Sequence, residues 1–493
     1  VTSAPLAIHD QPLSVRTKLA YGAGDFGTAI VAALKGFFLL IFLTDVARLD
    51  PAAAGSILLV TKIWDAVNDP LVGWLSDRTR TRWGRRRPWI LFGAIPFGLL
   101  FFLLWLTPPL EGAAQYCYYL LIALAGDAAF TVVNLPYSAL TPELTADYDE
   151  RTSLNSYRFA FSIAGALIAA VIHPQIVRAF STPQLGYTVS AAVWGVLVTV
   201  PSLIVFASTR ERSISPVQDK AKTLPYGQQL RIAFANRPYR FVIGLYLLSW
   251  LALQLVQTVI VYFLTYYLGR PDRIPLVLLA VQGSCFFFLF VWTRLSERLE
   301  KRTVYLLGGS LWLIVQLALF FVTPERFSLV IPLAALAGAG IAVAYLIPWA
   351  MMPDVIECDE WQTGQRREGI FYGFMVFLQK SCLALGIYMV GLVLSWTGYI
   401  TPTDAVPTPV QPETALTAMR WLMGPLPALI LAASLVVAYF YPITRAEHAD
   451  AGGVGGAGGQ RILGVDCVIR AFFCQFRLGT DSEIRVAHST IIL

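Results

Sequence analysis

The chain has 493 residues, of which 56% are hydrophobic and 14% charged. Soluble domains carry about 25% charged residues, so the chain reads as an integral membrane protein, which excludes a soluble multidomain enzyme, a disordered scaffold and a nucleic-acid binder. Setting aside roughly 50 residues at each end leaves room for about a dozen helical spans, at some 30 residues per span and loop. The net charge of +6 matters less than its placement, since most Lys and Arg fall in short segments between apolar runs, as topology signals do. Six cysteines (Cys117, Cys285, Cys358, Cys382, Cys467, Cys474) lack CxxC spacing and nearby His, which indicates neither a metal site nor a disulfide framework.

The N-terminal segment 1–19 shows no basic stretch followed by an apolar core and cleavage site, so no removable leader is expected. Apolar runs then predict six spans at 20–44, 53–75, 89–107, 115–137, 155–178 and 187–207. A polar stretch, 208–240, carries Arg210, Arg212, Lys220, Lys222, Arg231, Arg237 and Arg240 and reads as a central cytoplasmic linker. Six further spans follow at 241–268, 276–294, 303–322, 328–351, 369–396 and 418–441. The expected fold class is therefore all-α and polytopic, with 12 transmembrane helices in two six-helix halves, 20–207 and 241–441. Runs this long and solid exclude a transmembrane barrel, whose strands alternate polarity over about 10 residues. The tail 442–493 includes the glycine-rich stretch AGGVGGAGGQ and is expected to be disordered.

Orientation follows from the loops. The loop after span 2 carries Arg78, Arg80, Arg82, Arg85, Arg86 and Arg87, and that after span 8 carries Arg298, Lys301 and Arg302, whereas loops after odd spans are poor in basic residues. Translocation of Lys and Arg is disfavoured, so both termini are expected to be cytoplasmic.

A charge at the bilayer centre costs about 2.5 to 3.5 kcal/mol on insertion scales, so each needs a cavity, a partner or a ligand. Span 2 contains Lys62-Ile-Trp-Asp65-Ala-Val-Asn68-Asp69-Pro70. Helical spacing puts Asp65, Asn68 and Asp69 on one face. Two carboxylates there repel unless something positive lies between them, and a small hard cation bound by oxygens resolves that. A fixed pair with a buried Lys or Arg is the competing reading, and a proton on one carboxylate is a third. Lys380, mid-span in span 11, is placed to neutralise the carboxylates when the cation is absent, if spans 2 and 11 line one cavity. Lys35, mid-span in span 1, divides evenly between a structural ion pair and contact with an anionic substrate group. Arg158, early in span 5, reads by itself as an interfacial anchor. Tyr345, Trp349, Tyr137 and Trp64 adjoin polar or Pro-bearing segments, where an aromatic ring can stack on a sugar or a lipid chain, although plain packing is the commoner role.

Three motifs, Lys18-Leu-Ala-Tyr21-Gly22-Ala-Gly24-Asp25-Phe26-Gly27, Ile63 to Gly73, and Asp77 to Trp89, together with Met352-Pro353-Asp354-Val355-Ile356-Glu357 and Gly364 through Lys380, resemble the glycoside-pentoside-hexuronide:cation symporters. These are the melibiose permease-like members of the major facilitator superfamily, and the likeness runs from about 18 to 441. It implies the superfamily fold and a sodium site on Asp65, Asn68, Asp69 and Thr131, with Asp65 and Asp69 as its charged ligands. It places the family's span 11 lysine on Lys380 and its sugar-contacting arginine on Arg158. The sugar site departs from the pattern: the two sugar-gripping carboxylates fall on Ala29 and Asn134, the span 1 lysine falls on Thr28 with Lys35 two turns further on, and aromatic positions fall on Ser138 and Tyr345. Losing paired carboxylates and gaining Lys35 argues against a neutral galactoside.

The function expected is cation-coupled symport, with Na+ or H+ as coupling ion and no further cofactor, in a bacterial plasma (inner) membrane by a monomer surrounded by lipid. A sugar, glycoside or hexuronide is the expected substrate. The alternatives are an anionic or zwitterionic lysolipid, since sodium-dependent lysolipid symporters are similar too, and, from a different class, a non-transporting receptor or scaffold. No HExxH, GxSxG or P-loop sequence is present, so an enzyme is not expected. Asp77, Arg78 and Arg85 are expected to act in gating, with the acidic cluster Asp354, Glu357, Asp359 and Glu360 as counterpart in the second half.

Overall fold

The computed structural model describes residues 13–145, 148–211, 226–363, 367–403, 406 and 408–443. The glycine-rich part of the 442–493 tail lies outside the described residues, as does 212–225 of the central linker. The N-terminal half contains α1 (Val15–Leu34), α2 (Pro51–Arg78), α3 (Arg87–Leu104), α4 (Gly112–Ala139), the short α5 (Thr141–Leu144), α6 (Tyr148–Arg178) and α7 (Pro183–Ser208). After the linker helix α8 (Tyr226–Ala235) come α9 (Arg237–Tyr262), α10 (Ile274–Arg298), α11 (Lys301–Phe320), α12 (Val330–Thr363), α13 (Glu368–Trp396) and a last span broken at Gly424 into α14 (Glu413–Met423) and α15 (Pro425–Tyr439). Extended pairing among the described residues is limited to one bridge, Thr81 to Gly84.

Among the described residues, eleven spans are long and apolar enough to cross a membrane. The twelfth is α2, whose 28 residues hold Lys62, Asp65, Asp69, Asp77 and Arg78. Its start is firmly set: Pro51 occupies the first turn, and the Asp50 carboxylate accepts from the amides of Ala52 and Ala53 at 2.9 and 3.2 Å. Within the N-terminal half α1 packs on α6 and α7, α3 on α4 and α7, and α2 on α4. In the second half α10 and α11 pack on α12, and α9 on α13 and α15. The halves meet along α2 with α13 and along α6 with α10.

The α2–α13 seam sets the depth of the polar site. A Cβ on Gly391 would lie 2.4 Å from the Pro51 carbonyl oxygen, so the helices touch backbone to backbone at Gly55 and Gly391. The two helices run antiparallel. Asp65 is ten residues from Gly55 and Lys380 eleven from Gly391, which at 1.5 Å per residue is about 15 and about 16.5 Å along the axes. The carboxylate and the ammonium therefore arrive at one level. In α1, regular helix gives way to a π-turn at Lys35–Leu39 and again at Phe42–Val46. Each turn holds an extra residue and re-aims the side chains beyond it.

Gly391→Ala is expected to force this seam apart and lower stability by about 1 to 3 kcal/mol, the usual cost of overpacking. A fall in the melting temperature of the purified protein checks it, and an unchanged value would contradict the contact.

Candidate functional site

Asp65, on the inner face of α2, is buried at 2% exposure, and Thr131 on α4 is equally buried. The Thr131 hydroxyl lies 3.0 Å from Asp69 Oδ1 and 3.4 Å from Asp65 Oδ1. From α13, Lys380 Nζ sits 2.8 Å from Asp65 Oδ2 and also contacts Asp69 Oδ2. The ammonium thus bridges the carboxylate pair. Lys380 and Asp69 keep 25% and 31% of their side chains exposed, so the bridge is reachable rather than sealed. Asn68 is buried beside this group on the same helix, with its Nδ2 lacking a hydrogen-bond partner. Pro70 has no amide hydrogen to offer the carbonyl of Ala66, so one further backbone oxygen on α2 is released from the helix ladder.

Beside this bridge lies a second charged group, only partly anticipated. Lys35, at the first π-turn of α1, is 3.5 Å from Asp127 Oδ1 of α4, and Lys62 is 3.8 Å from the same oxygen. Lys62 also lies 3.7 Å from Asp65. Asp127 is a mid-span charge in span 4, and the rule that singles out Asp65 applies to it equally. Lys62 stands in the span 2 motif without an assigned role.

Arg158 is paired: its Nε donates to Asp25 Oδ2 at 2.7 Å, and its guanidinium lies 4.8 Å from the Tyr137 ring. Asp25, from the span 1 motif, is the partner that sequence reasoning does not assign. Asn134 is half-buried on α4. Tyr345 stands edge-on to Trp250 at 5.0 Å and, with Phe37, Leu253, Val277 and Met423, lines a largely apolar pocket. Buried Gln316 also lines it, with neither amide atom hydrogen-bonded.

At the arginine-rich end, Arg86 contacts Asp77, donates to Ser76 at 2.8 Å and reaches Glu143 at 3.2 Å. Arg85 donates to Glu143 at 2.5 Å, which raises its guanidinium above the ordinary value and keeps it charged. Arg78 instead stacks 3.9 Å from the Trp74 ring. Glu211 accepts from the amides of Arg85, Arg86 and Arg87 at 2.5, 2.7 and 2.9 Å, closing the N-terminus of α3 as a cap residue would. In the second half, Asp354 pairs with Lys301 at 2.7 Å and Asp359 with Arg367 at 2.7 Å. Glu143 and Glu211 lie outside the arginine motif, which is why sequence proximity does not reveal them.

The opposite end of the bundle is held shut across the two halves. Asp45, in the second π-turn, accepts from Tyr266 at 2.5 Å, Tyr399 at 2.6 Å and Thr44 at 2.7 Å, and Thr44 meets Tyr262 at 2.8 Å. Ser395 adds a bond to Asp50 at 3.1 Å. Asp45 lies beyond the membrane-spanning segment Val15–Leu39, and burial pushes its carboxyl up to about 6.

Two bundles of membrane helices enclosing buried charges define a multi-pass secondary transporter rather than an enzyme. The family model described as MFS/sugar transport protein matches residues 20–445, and the chain belongs to that family. It is 41% identical to an uncharacterised symporter, sll1374, of Synechocystis, over 89% of this chain and 96% of the relative. It is 30% identical to the putative glycoside/cation symporter YagG of Escherichia coli, over 88% and 93%, and 30% identical to the sodium-dependent lysophosphatidylcholine symporter 1-A of Danio rerio, over 87% and 86%. Among solved structures, the nucleoside transporter NupG superposes with a TM-score of 0.59 at 14% identity, over 86% of this chain and 100% of that one. That likeness carries the fold alone.

Asp45 generates a pH prediction. Its carboxyl titrates near 6 in the closed end and near 3.9 when solvated, so closure takes up a proton between those values. Closure is therefore favoured progressively as pH falls from 6 toward 3.9, by up to roughly a hundredfold in the equilibrium, and that gain is lost once pH has risen through 6. Spin labels at Ala52→Cys and Trp396→Cys should report a larger closed fraction at pH 5 than at pH 8. Asp45→Asn should flatten that dependence, and an unaltered dependence in the variant would contradict the assignment.

Proposed function

We propose that the protein is a symporter that uses Asp65, Asp69 and Thr131 to bind Na+ or H+ and moves a sugar, glycoside or hexuronide by alternating access. The observation that carries the reading is the Lys380 bridge, in which an ammonium lies between the two carboxylates where a monovalent cation is expected. Two carboxylates and a hydroxyl from two helices, with a released carbonyl nearby, make an oxygen donor set suited to a small hard cation.

In this account the cation takes Asp65 and Asp69, and Lys380 is released into the cavity, where it can serve the substrate. Cation and substrate then favour each other by linkage. Restricting movement between states to the empty and doubly loaded forms converts a cation gradient into solute accumulation. Closure at the Asp45 end supports reading the described state as facing the arginine-rich side, taken as cytoplasmic. The arginine network of Asp77, Arg86, Arg85 and Glu143 then serves as the inner gate's anchor. The Arg158–Asp25 pair holds α6 against α1 and bears on substrate through that geometry.

A second reading has its own support. The pocket beside Tyr345 and Phe37 has the apolar lining an acyl chain needs, and one 30% identical relative is named a lysophosphatidylcholine symporter. A lysolipid substrate with its head at the charged groups and its chain in that cavity is consistent with both facts.

Uptake by vesicles under imposed Na+ or H+ gradients, screened against sugars, hexuronides and lysolipids, tests the proposal. Asp65→Asn and Asp69→Asn should each reduce cation-driven accumulation by a hundredfold or more with the protein still inserted, and intact accumulation in either would refute the site. Lys380→Ala should leave little coupled transport, and unchanged cation dependence would demote the residue to a packing role.

A further inference from the structure

Lys35, Lys62 and Asp127 form a group that the cation site does not need. Their contacts are longer than those of the tightest ion pairs in the molecule. Arg158 with Asp25 and Lys301 with Asp354 are hydrogen-bonded at 2.7 Å, as expected of charge-assisted bonds. At Asp127 two ammoniums stand off at 3.5 and 3.8 Å from one oxygen. The other oxygen, Oδ2, is buried and accepts no hydrogen bond from a described donor, in a residue only 2% exposed. An unmet buried acceptor costs about 1 to 3 kcal/mol, so Asp127 is held less firmly than a fully hydrogen-bonded carboxylate. The two lysines meanwhile keep 21% and 30% of their side chains exposed.

Resting on the symport reading, we propose that Lys35 and Lys62 form an oxyanion subsite for a carboxylate or phosphate group of the substrate, and that Asp127 is an internal stand-in holding the two ammoniums while the subsite is empty. Charge arithmetic supports it. The connected group holds three carboxylates, Asp65, Asp69 and Asp127, and three ammoniums, Lys35, Lys62 and Lys380. With all six ionised it is neutral when empty, carries one surplus positive charge once a monovalent cation is loaded, and is neutral again when a monoanionic group joins. Lys62 touches both sites, at 3.7 Å from Asp65 and 3.8 Å from Asp127. A cation on Asp65 weakens the hold of that carboxylate on Lys62 and turns the ammonium toward the anion. A neutral substrate gains nothing from this exchange.

The test is equilibrium binding to the purified full-length protein with matched probes: methyl β-glucuronide against methyl β-glucoside, and lysophosphatidic acid against monoacylglycerol, each with and without saturating cation. The anionic member of at least one pair should bind at least tenfold tighter than its neutral partner, and only with cation present. Lys62→Gln should remove that preference and Lys62→Arg restore it. Asp127→Asn, which removes the stand-in, should tighten anion binding about tenfold. Equal binding within both pairs, no binding by either anionic probe, or weaker anion binding in Asp127→Asn would overturn the subsite. Cation titration of the same samples separates the two claims: intact cation binding with no anion preference defeats the subsite alone, whereas absent cation binding defeats the symport reading.

Discussion

An ammonium held between two carboxylates inside a membrane bundle is the interaction on which the rest of the structure depends. Neither member is affordable alone: two carboxylates four residues apart on one helix repel, and a lone lysine at that depth carries the full insertion cost. Together they are neutral, and because part of the bridge stays exposed, the neutrality is exchangeable. A permanent structural pair would be expected to lie buried on both sides, and a bridge whose carboxylate and ammonium remain reachable can be opened by a competing cation.

Much of the surrounding architecture serves that arrangement. Glycines at the α2–α13 seam let backbones touch and bring Asp65 and Lys380 to one depth. The π-turn at Lys35 directs a second ammonium toward Asp127, and the next π-turn places Asp45 between the halves. Proline at position 70 loosens the helix next to the carboxylates. At the two ends, polar networks differ in reach. The arginine network joins elements of the first half, whereas Asp45 joins the first half to the second. An end fastened within one half can move as a body, and an end fastened across halves must break to open.

The fold was legible because its signal is thermodynamic: apolar runs near 20 residues read as spans wherever they occur, and the long helices follow them closely, whereas the short α5 and α8 lie outside them. The largest difference is α12, which runs to Thr363 where apolarity stops near 351, because a helix continues past the membrane whenever its polar residues find partners, as Asp354 does with Lys301. Asp65, Asp69 and Lys380 were legible as charges in hydrocarbon. Asp127 carries the same signal, but as a lone carboxylate with no partner on its own helical face it does not stand out. The partnerships of Arg158 with Asp25, and of Arg85 with Glu143, join residues 133 and 58 positions apart. Spacing along one helix holds no information about which helices become neighbours. Asp45 sits past the end of its span, where a carboxylate is ordinary, and only the assembled tyrosines give it significance.

The central claim is that Lys380 and the coupling cation compete for one place. Thermal-stability titrations of Lys380→Ala beside the parent protein, against Na+ and against pH, test it most directly. With the competitor removed, the stabilising midpoint should move tenfold or more to lower Na+ concentration or, if the ion is a proton, one unit or more to higher pH. A midpoint that stays put, or that demands more cation, would mean that the lysine and the ion do not share the site.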